Sequence, residues 1–81
     1  MYTGRIVLSR AGRDKGYLLV VVGEDNGFLL VADGKERPIE KPKRKNIKHI
    51  SFTEKRLSKD ELVSNKSLRK AFKKCDIKED F

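Results

Sequence analysis

The chain has 81 residues, enough for one domain, and a chain this short buries only about 60% of the surface its unfolded form exposes, so a deep catalytic cleft is not expected. Its lone cysteine, Cys75, has no partner for an internal disulfide, and one cysteine with one histidine is too few to hold zinc. The formal net charge of +8 is lopsided: residues 1–40 hold six Lys/Arg against six Asp/Glu, whereas residues 41–81 hold fourteen against six and carry the whole excess. A basic half of this kind points to a polyanionic partner, bound by release of counterions from phosphates.

In chain order, GRIVLS (residues 4–9) is a short β-branched run and YLLVVV (17–22) is a second apolar run rich in valine; both read as strands. Glu24-Asp25-Asn26-Gly27 follows, and Asn-Gly accepts the positive φ angles of a tight hairpin. FLLVA (28–32) is therefore expected to return antiparallel to the second strand. Asp33-Gly34 repeats the signal and predicts a further hairpin into residues 36–40, with Pro38 on an edge where its missing N–H is not needed. Lys41-Pro42-Lys43 is expected to interrupt pairing, and the alternation in IKHISF (47–52) predicts a fifth strand. Five short strands joined by tight turns favour a small closed or half-closed antiparallel barrel over residues 1–52, because closure hides the edges.

Residues 53–81 read as a short helical C-terminal tail. Ser58-Lys59-Asp60-Glu61 matches a capping box with Leu62 and Val63 on the apolar side. After Ser64-Asn65, a second segment places Leu68, Ala71, Phe72 and Cys75 on one helical face and Lys66, Arg69, Lys70, Lys73 and Lys74 on the other. The apolar stripe is expected to pack on the barrel, which alone supplies little core, and Cys75 to be a small buried hydrophobe. The acidic close, residues 76–81, is expected to fray. The longest apolar run, residues 17–22, is far too short to span a bilayer, and no export signal is visible. A reducing, cytoplasmic setting without a membrane partner is the expectation.

Two stretches are candidates for function. The first is AGRDKG (11–16), in which Gly12 and Gly16 permit φ values closed to other residues, so that backbone amides and the flanking Arg10, Arg13 and Lys15 can face a phosphate. The competing reading is that the glycines only close a turn, with Asp14 bonding its own backbone amides and the cations solvated. It is not a nucleotide-binding P-loop, lacking the terminal Gly-Lys-Ser/Thr and a following helix. The second stretch, KPKRKNIKH (41–49), sets Lys41, Lys43, Arg44, Lys45 and Lys48 before His49 with no acid between them. Pro42 is expected to keep it extended and unpaired, so that its side chains spread along a phosphate chain; the bland alternative is a solvated linker. His49 has no nucleophile beside it and reads as a stacking or hydrogen-bonding group. Tyr2, Tyr17, Phe28 and Phe52 are the other stacking candidates, with Phe28 destined for the core and Tyr17 open between core and RNA face. No paired carboxylates, metal cluster or activated nucleophile can be assembled, so neither an enzyme, a cofactor nor a small-molecule substrate is expected.

The segment GRIVLSRAGRDKGYLLVVVG resembles the KOW motif, a strand, a glycine-containing loop and a second strand that open an SH3-like barrel. The likeness continues through FLLVADGKERPIEKPKRKNIKHI, covering residues 3 to 51, and is similar to the N-terminal domain of the 14e/6e/27e-type large-subunit ribosomal proteins and to small bacterial KOW-domain RNA-binding proteins. Gly16 matches the family's loop glycine. The resemblance implies a mainly β fold, a five-stranded SH3-like barrel, that binds RNA, above all ribosomal RNA, with ribosomal proteins as possible neighbours. KOW modules of transcription factors dock proteins instead, which gives the alternative function. The tail from Phe52 onward is not covered by the likeness.

Overall fold

The computed structural model describes residues 2–74. Five strands, β1 (Arg5–Ser9), β2 (Leu18–Asp25), β3 (Phe28–Ala32), β4 (Lys43–Asn46) and β5 (Ile50–Arg56), form one antiparallel sheet in the order β4-β3-β2-β1-β5. β4 and β5 stand at the two ends of that order, so the hydrogen-bonded sheet does not close on itself. A 3-10 turn, Ile47–His49, separates them, and a second, Lys59–Leu62, leads into a single helix, α1 (Asn65–Lys74).

The strands of the first half are apolar at consecutive positions because both faces of the sheet are covered. Pairing sets Val7 opposite Leu19 and Ile6 opposite Val20. On one face Val7, Leu19, Val21, Leu29, Val31 and Ile50 pack together. On the other, Val20 and Ala32 meet Leu68 of α1, with Val22, Ile39, Leu57, Leu62 and Phe72 around them. A strand buried on both sides reads as a continuous apolar run rather than an alternating one, which is the pattern of IVL and LLVVV.

The β2–β3 hairpin turns at Asn26 (φ 49°) and Gly27 (φ 83°), as the Asn-Gly pair predicts. The second expected hairpin does not form. Asp33 Oδ1 accepts hydrogen bonds from the backbone N–H groups of Lys35 (2.8 Å) and Arg37 (2.9 Å), and the N–H groups of Asp33 and Gly34 donate to Arg37 O, so residues 33–37 fold into a turn and residues 36–40 make no strand. The partner of β3 is β4, which begins directly after Pro42. The missing N–H of a proline affects its own position only, and pairing resumes at Lys43 against Val31. Residues 47–52 are likewise divided: Asn46 Oδ1 accepts from Lys48 N at 2.9 Å and caps the 3-10 turn, and only from Ile50 does the chain pair with β1. β5 runs on to Arg56, past the expected barrel boundary at residue 52.

The tail closes the second face. Ser58 N donates to Glu61 Oε1 at 2.9 Å, the expected reciprocal bond, but it opens a 3-10 turn rather than an α-helix. α1 is then started by Ser64, whose Oγ accepts from Ser67 N at 3.1 Å. Asn65 ties the start of the helix to the 33–41 loop, accepting from Ile39 N at 2.8 Å and donating to Glu40 Oε1 at 2.8 Å. Gly34 makes that approach possible: a Cβ there would lie 2.8 Å from Asn65 O and 3.3 Å from Leu68 Cβ. Cys75 and residues 76–81 lie outside the described residues. None of the described helices is long and apolar enough to cross a membrane.

Leu68 is fully buried beneath α1, so Leu68→Ala is expected to lower unfolding stability by about 2–5 kcal/mol. Chemical denaturation checks this, and a midpoint equal to that of the wild type would show that α1 contributes nothing to the core.

Candidate functional site

The loop between β1 and β2 is fixed by the acid at its centre. Asp14 is only 5% exposed. Its Oδ1 accepts from Lys45 Nζ at 2.7 Å and lies 2.9 Å from Ser9 Oγ, at the end of β1. Lys45 Nζ also donates to Ala11 O at 2.7 Å, so one ammonium grips both the carboxylate and the backbone of the loop. Asp14 Oδ2 takes no hydrogen bond from the described residues and has Lys43 Nζ 3.7 Å away. The loop glycines hold positive φ angles, Gly12 at 84° and Gly16 at 91°. A Cβ on Gly12 would come within 3.4 Å of Lys45 Nζ, whereas none of the described atoms lies within 4 Å of one on Gly16. Gly12 thus makes room for the latch, and Gly16 serves the backbone angle alone.

The pleat of β4 decides which of its cations reach the loop. Lys43 pairs with Val31 and Lys45 with Leu29. Both therefore stand on the face of the Val7 cluster and extend past its end to Asp14. Arg44 points to the opposite face, where its guanidinium lies 4.6 Å from the ring centroid of Phe28 and its Nε 3.6 Å from Asp25 Oδ2. A second seam joins the loop to β5: Arg10 N donates to His49 O at 2.7 Å, and Arg10 Nη1 lies 3.3 Å from Ser51 Oγ.

The structure sets Arg10 against the His49 backbone and Ser51 and brings Lys43 to Asp14. Arg13 and Lys15 stand exposed on the same loop, Arg13 facing the 33–37 turn beside Asp33, Glu36 and Arg37, and Arg44 is sent elsewhere. Arg10, Arg13, Lys15, Tyr17, Lys41, Arg44, Lys48 and His49 are exposed, and Lys43 is half-buried. Lys45 departs from expectation. At 6% exposure its ammonium is spent on Asp14 and Ala11, and it cannot spread along a phosphate chain. Lys41 precedes β4, and its backbone N–H donates to Pro38 O. The expectation that residues 41–49 stay unpaired is overturned at Lys43–Asn46, where the ladder with β3 and the buried partner Asp14 outweigh the weak strand propensity of lysine and asparagine. Asp14 binds Lys45 and Ser9 rather than its own backbone amides. The one sequence signal for this role is that it is the sole acid in residues 10–16.

Of the aromatic candidates, Tyr2 and Phe52 stack on each other with centroids 4.8 Å apart, and Tyr17 stands 52% exposed beside the loop. Phe28, expected in the core, is instead half-buried at the start of β3 beneath the Arg44 guanidinium. Among the described residues there is no cluster of three or more metal-ligating side chains. A scan against protein-family models matches none, and a search of curated proteins gives no match.

The carboxyl of Asp14 is subject to opposing forces. Burial disfavours its charge, but hydrogen bonds from Lys45 and Ser9 and the positive charges of Lys45 and Lys43 outweigh burial and hold it below the ordinary aspartate value. Because the folded state favours the ionised form, the stability that this supplies is complete above about pH 4, the unfolded value, and is lost as pH falls through the folded value. Asp14→Asn strands a buried ammonium and is expected to cost about 3–5 kcal/mol. In the pair Asp14→Leu with Lys45→Met, most of that loss is expected to return, and the acid limb of the stability curve to flatten. Denaturation of each variant from neutral to acid pH makes the comparison. A single variant as stable as the wild type, with an unchanged acid limb, would remove the latch.

Proposed function

We propose that the protein is a KOW-type RNA-binding module, an SH3-like barrel with a helical tail, that docks on structured ribosomal RNA in the cytoplasm. Five antiparallel strands with a glycine-containing loop between the first two support this reading in strand number and in the place of the loop. The observation that carries the functional reading is the double seam, Asp14 to Lys45 and Arg10 to His49, which sets the AGRDKG loop against the 43–49 segment. Arg10, Arg13, Lys15, Lys43, Lys48 and His49 are then the groups that meet phosphate, with Lys41 at the near end of β4. Arg44 lies on the other face, and Lys45 acts from beneath as the anchor. The chain's excess of basic residues favours the same class of partner.

Affinity in this reading comes from phosphate contacts, which position the protein without reading bases. Changing Arg13, Lys15 and Lys48 together to glutamine removes three exposed cations while leaving the latch intact. The expected result is weaker binding to ribosomal RNA and a slope of log K against log salt that is shallower by about 2 to 3. Fluorescence anisotropy across a salt series measures both. An unchanged slope would contradict the reading, and retention of the protein on its native complex after RNase treatment would favour a protein partner in place of RNA.

A further inference from the structure

An open groove of about 460 Å³ runs between the end of the β1–β2 loop, the 33–36 turn and α1, lined by Tyr17, Leu18, Asp33, Lys35, Glu36, Arg69, Phe72 and Lys73. Its volume lies in the range of about 300–1,000 Å³ that small-ligand sites occupy. Two aromatic rings reach it from different elements, Tyr17 from the loop and Phe72 from the helix, and Tyr17 is the more exposed of the two. An exposed ring beside a cationic rim is the arrangement that takes a nucleobase on its face and the attached phosphate at its edge.

The charges around the groove fit that occupant. Lys35, Arg69 and Lys73 line it, and α1 carries Lys66, Arg69, Lys70, Lys73 and Lys74 without one carboxylate. Two acids also line it, Asp33, whose Oδ1 is engaged by two backbone N–H groups of its own turn, and the exposed Glu36, and the three cations outnumber them. Arg69 donates one hydrogen bond to Gly34 O at 2.7 Å, which fixes the guanidinium at the rim and leaves its other N–H groups available. Tyr17 also belongs to the loop held by the latch, since its N–H donates to Asp14 O at 2.9 Å and its carbonyl accepts from Ser9 N at 2.9 Å. The groove therefore continues the loop surface onto the helix.

We infer that this groove is a slot for one unpaired nucleotide, its base on the Tyr17 ring and its phosphate against Lys73 and Arg69, and that α1 is the second half of the RNA-binding surface. This rests on the RNA reading above and adds to it a preference for RNA with a bulged or flipped base over a continuous duplex. Stacking on the ring supplies the preference, and the loop cations supply the affinity common to both RNAs.

The test uses an RNA duplex with one bulged 2-aminopurine and a control duplex in which 2-aminopurine is paired with uridine. The full chain is expected to bind the bulged duplex about ten-fold more tightly, as the stacking of one base on an aromatic ring provides, and to quench its fluorescence. Tyr17→Ser is expected to abolish the preference and the quenching while keeping the control affinity and its salt dependence; Tyr17→Phe keeps both. Equal binding of the two duplexes by the wild type, or an undiminished preference in Tyr17→Ser, overturns the slot and leaves the loop surface standing. Failure to bind either duplex at low salt overturns the slot together with the RNA reading on which it rests.

Discussion

The organisation of the molecule depends on one buried ion pair, Asp14 with Lys45. Burying two charges is expensive, and the cost is offset where geometry is close and further hydrogen bonds and charges face the pair. Here the ammonium lies 2.7 Å from both Asp14 Oδ1 and Ala11 O, Ser9 Oγ donates to the same Oδ1, and Oδ2 faces the charge of Lys43, 3.7 Å away. The pair sits at the end of the apolar cluster formed by Val7, Leu19, Val21, Leu29, Val31 and Ile50. It joins the β1–β2 loop to a strand distant in sequence. Without it, the loop would be a turn with solvated cations; with it, the loop is a fixed platform whose outer residues are basic.

A second constraint comes from size. A sheet of five short strands cannot bury both of its faces by itself, yet β1 and β2 are apolar on both. The tail resolves this by laying Leu68 against Val20 and Ala32, with Phe72 and Leu62 around them. Gly34 and Asn65 set the distance of approach. The helix that completes the core thereby exposes a face of five cations, so the element required for stability also extends the charged surface.

Much of this was legible in the sequence, for identifiable reasons. β1, β2 and β3 are announced by apolar β-branched runs and the Asn26-Gly27 turn, and α1 by the spacing of Leu68, Ala71 and Phe72. β4 was hidden because its sequence, KRKN, has no apolar residue. Its strand character comes from Asp14, some thirty residues away, and from the β3 edge, neither of which is local information. The turn at residues 33–37 is ambiguous in the sequence for a related reason: Asp33-Gly34 signals reversal but not whether the aspartate side chain will cap the turn itself. At the candidate site, exposure of the loop cations followed from their position in a turn. The withdrawal of Lys45 and the divergence of Arg44 followed from strand register, which charge counting does not contain.

The proposed function thus assigns different duties to neighbouring cations of one basic run: one buried as anchor, one turned to the far face, the rest turned outward with the loop. Ultraviolet crosslinking of the protein in cells, with sequencing of the attached RNA and mapping of the crosslinked residues, tests this division most directly. The account predicts crosslinks from Arg10, Arg13, Lys15 and Tyr17 and from Lys43, Lys48 and His49 that converge on one ribosomal RNA site, and none from the buried Asp14 and Lys45. Crosslinks scattered over unrelated RNAs, or absent altogether, would contradict it.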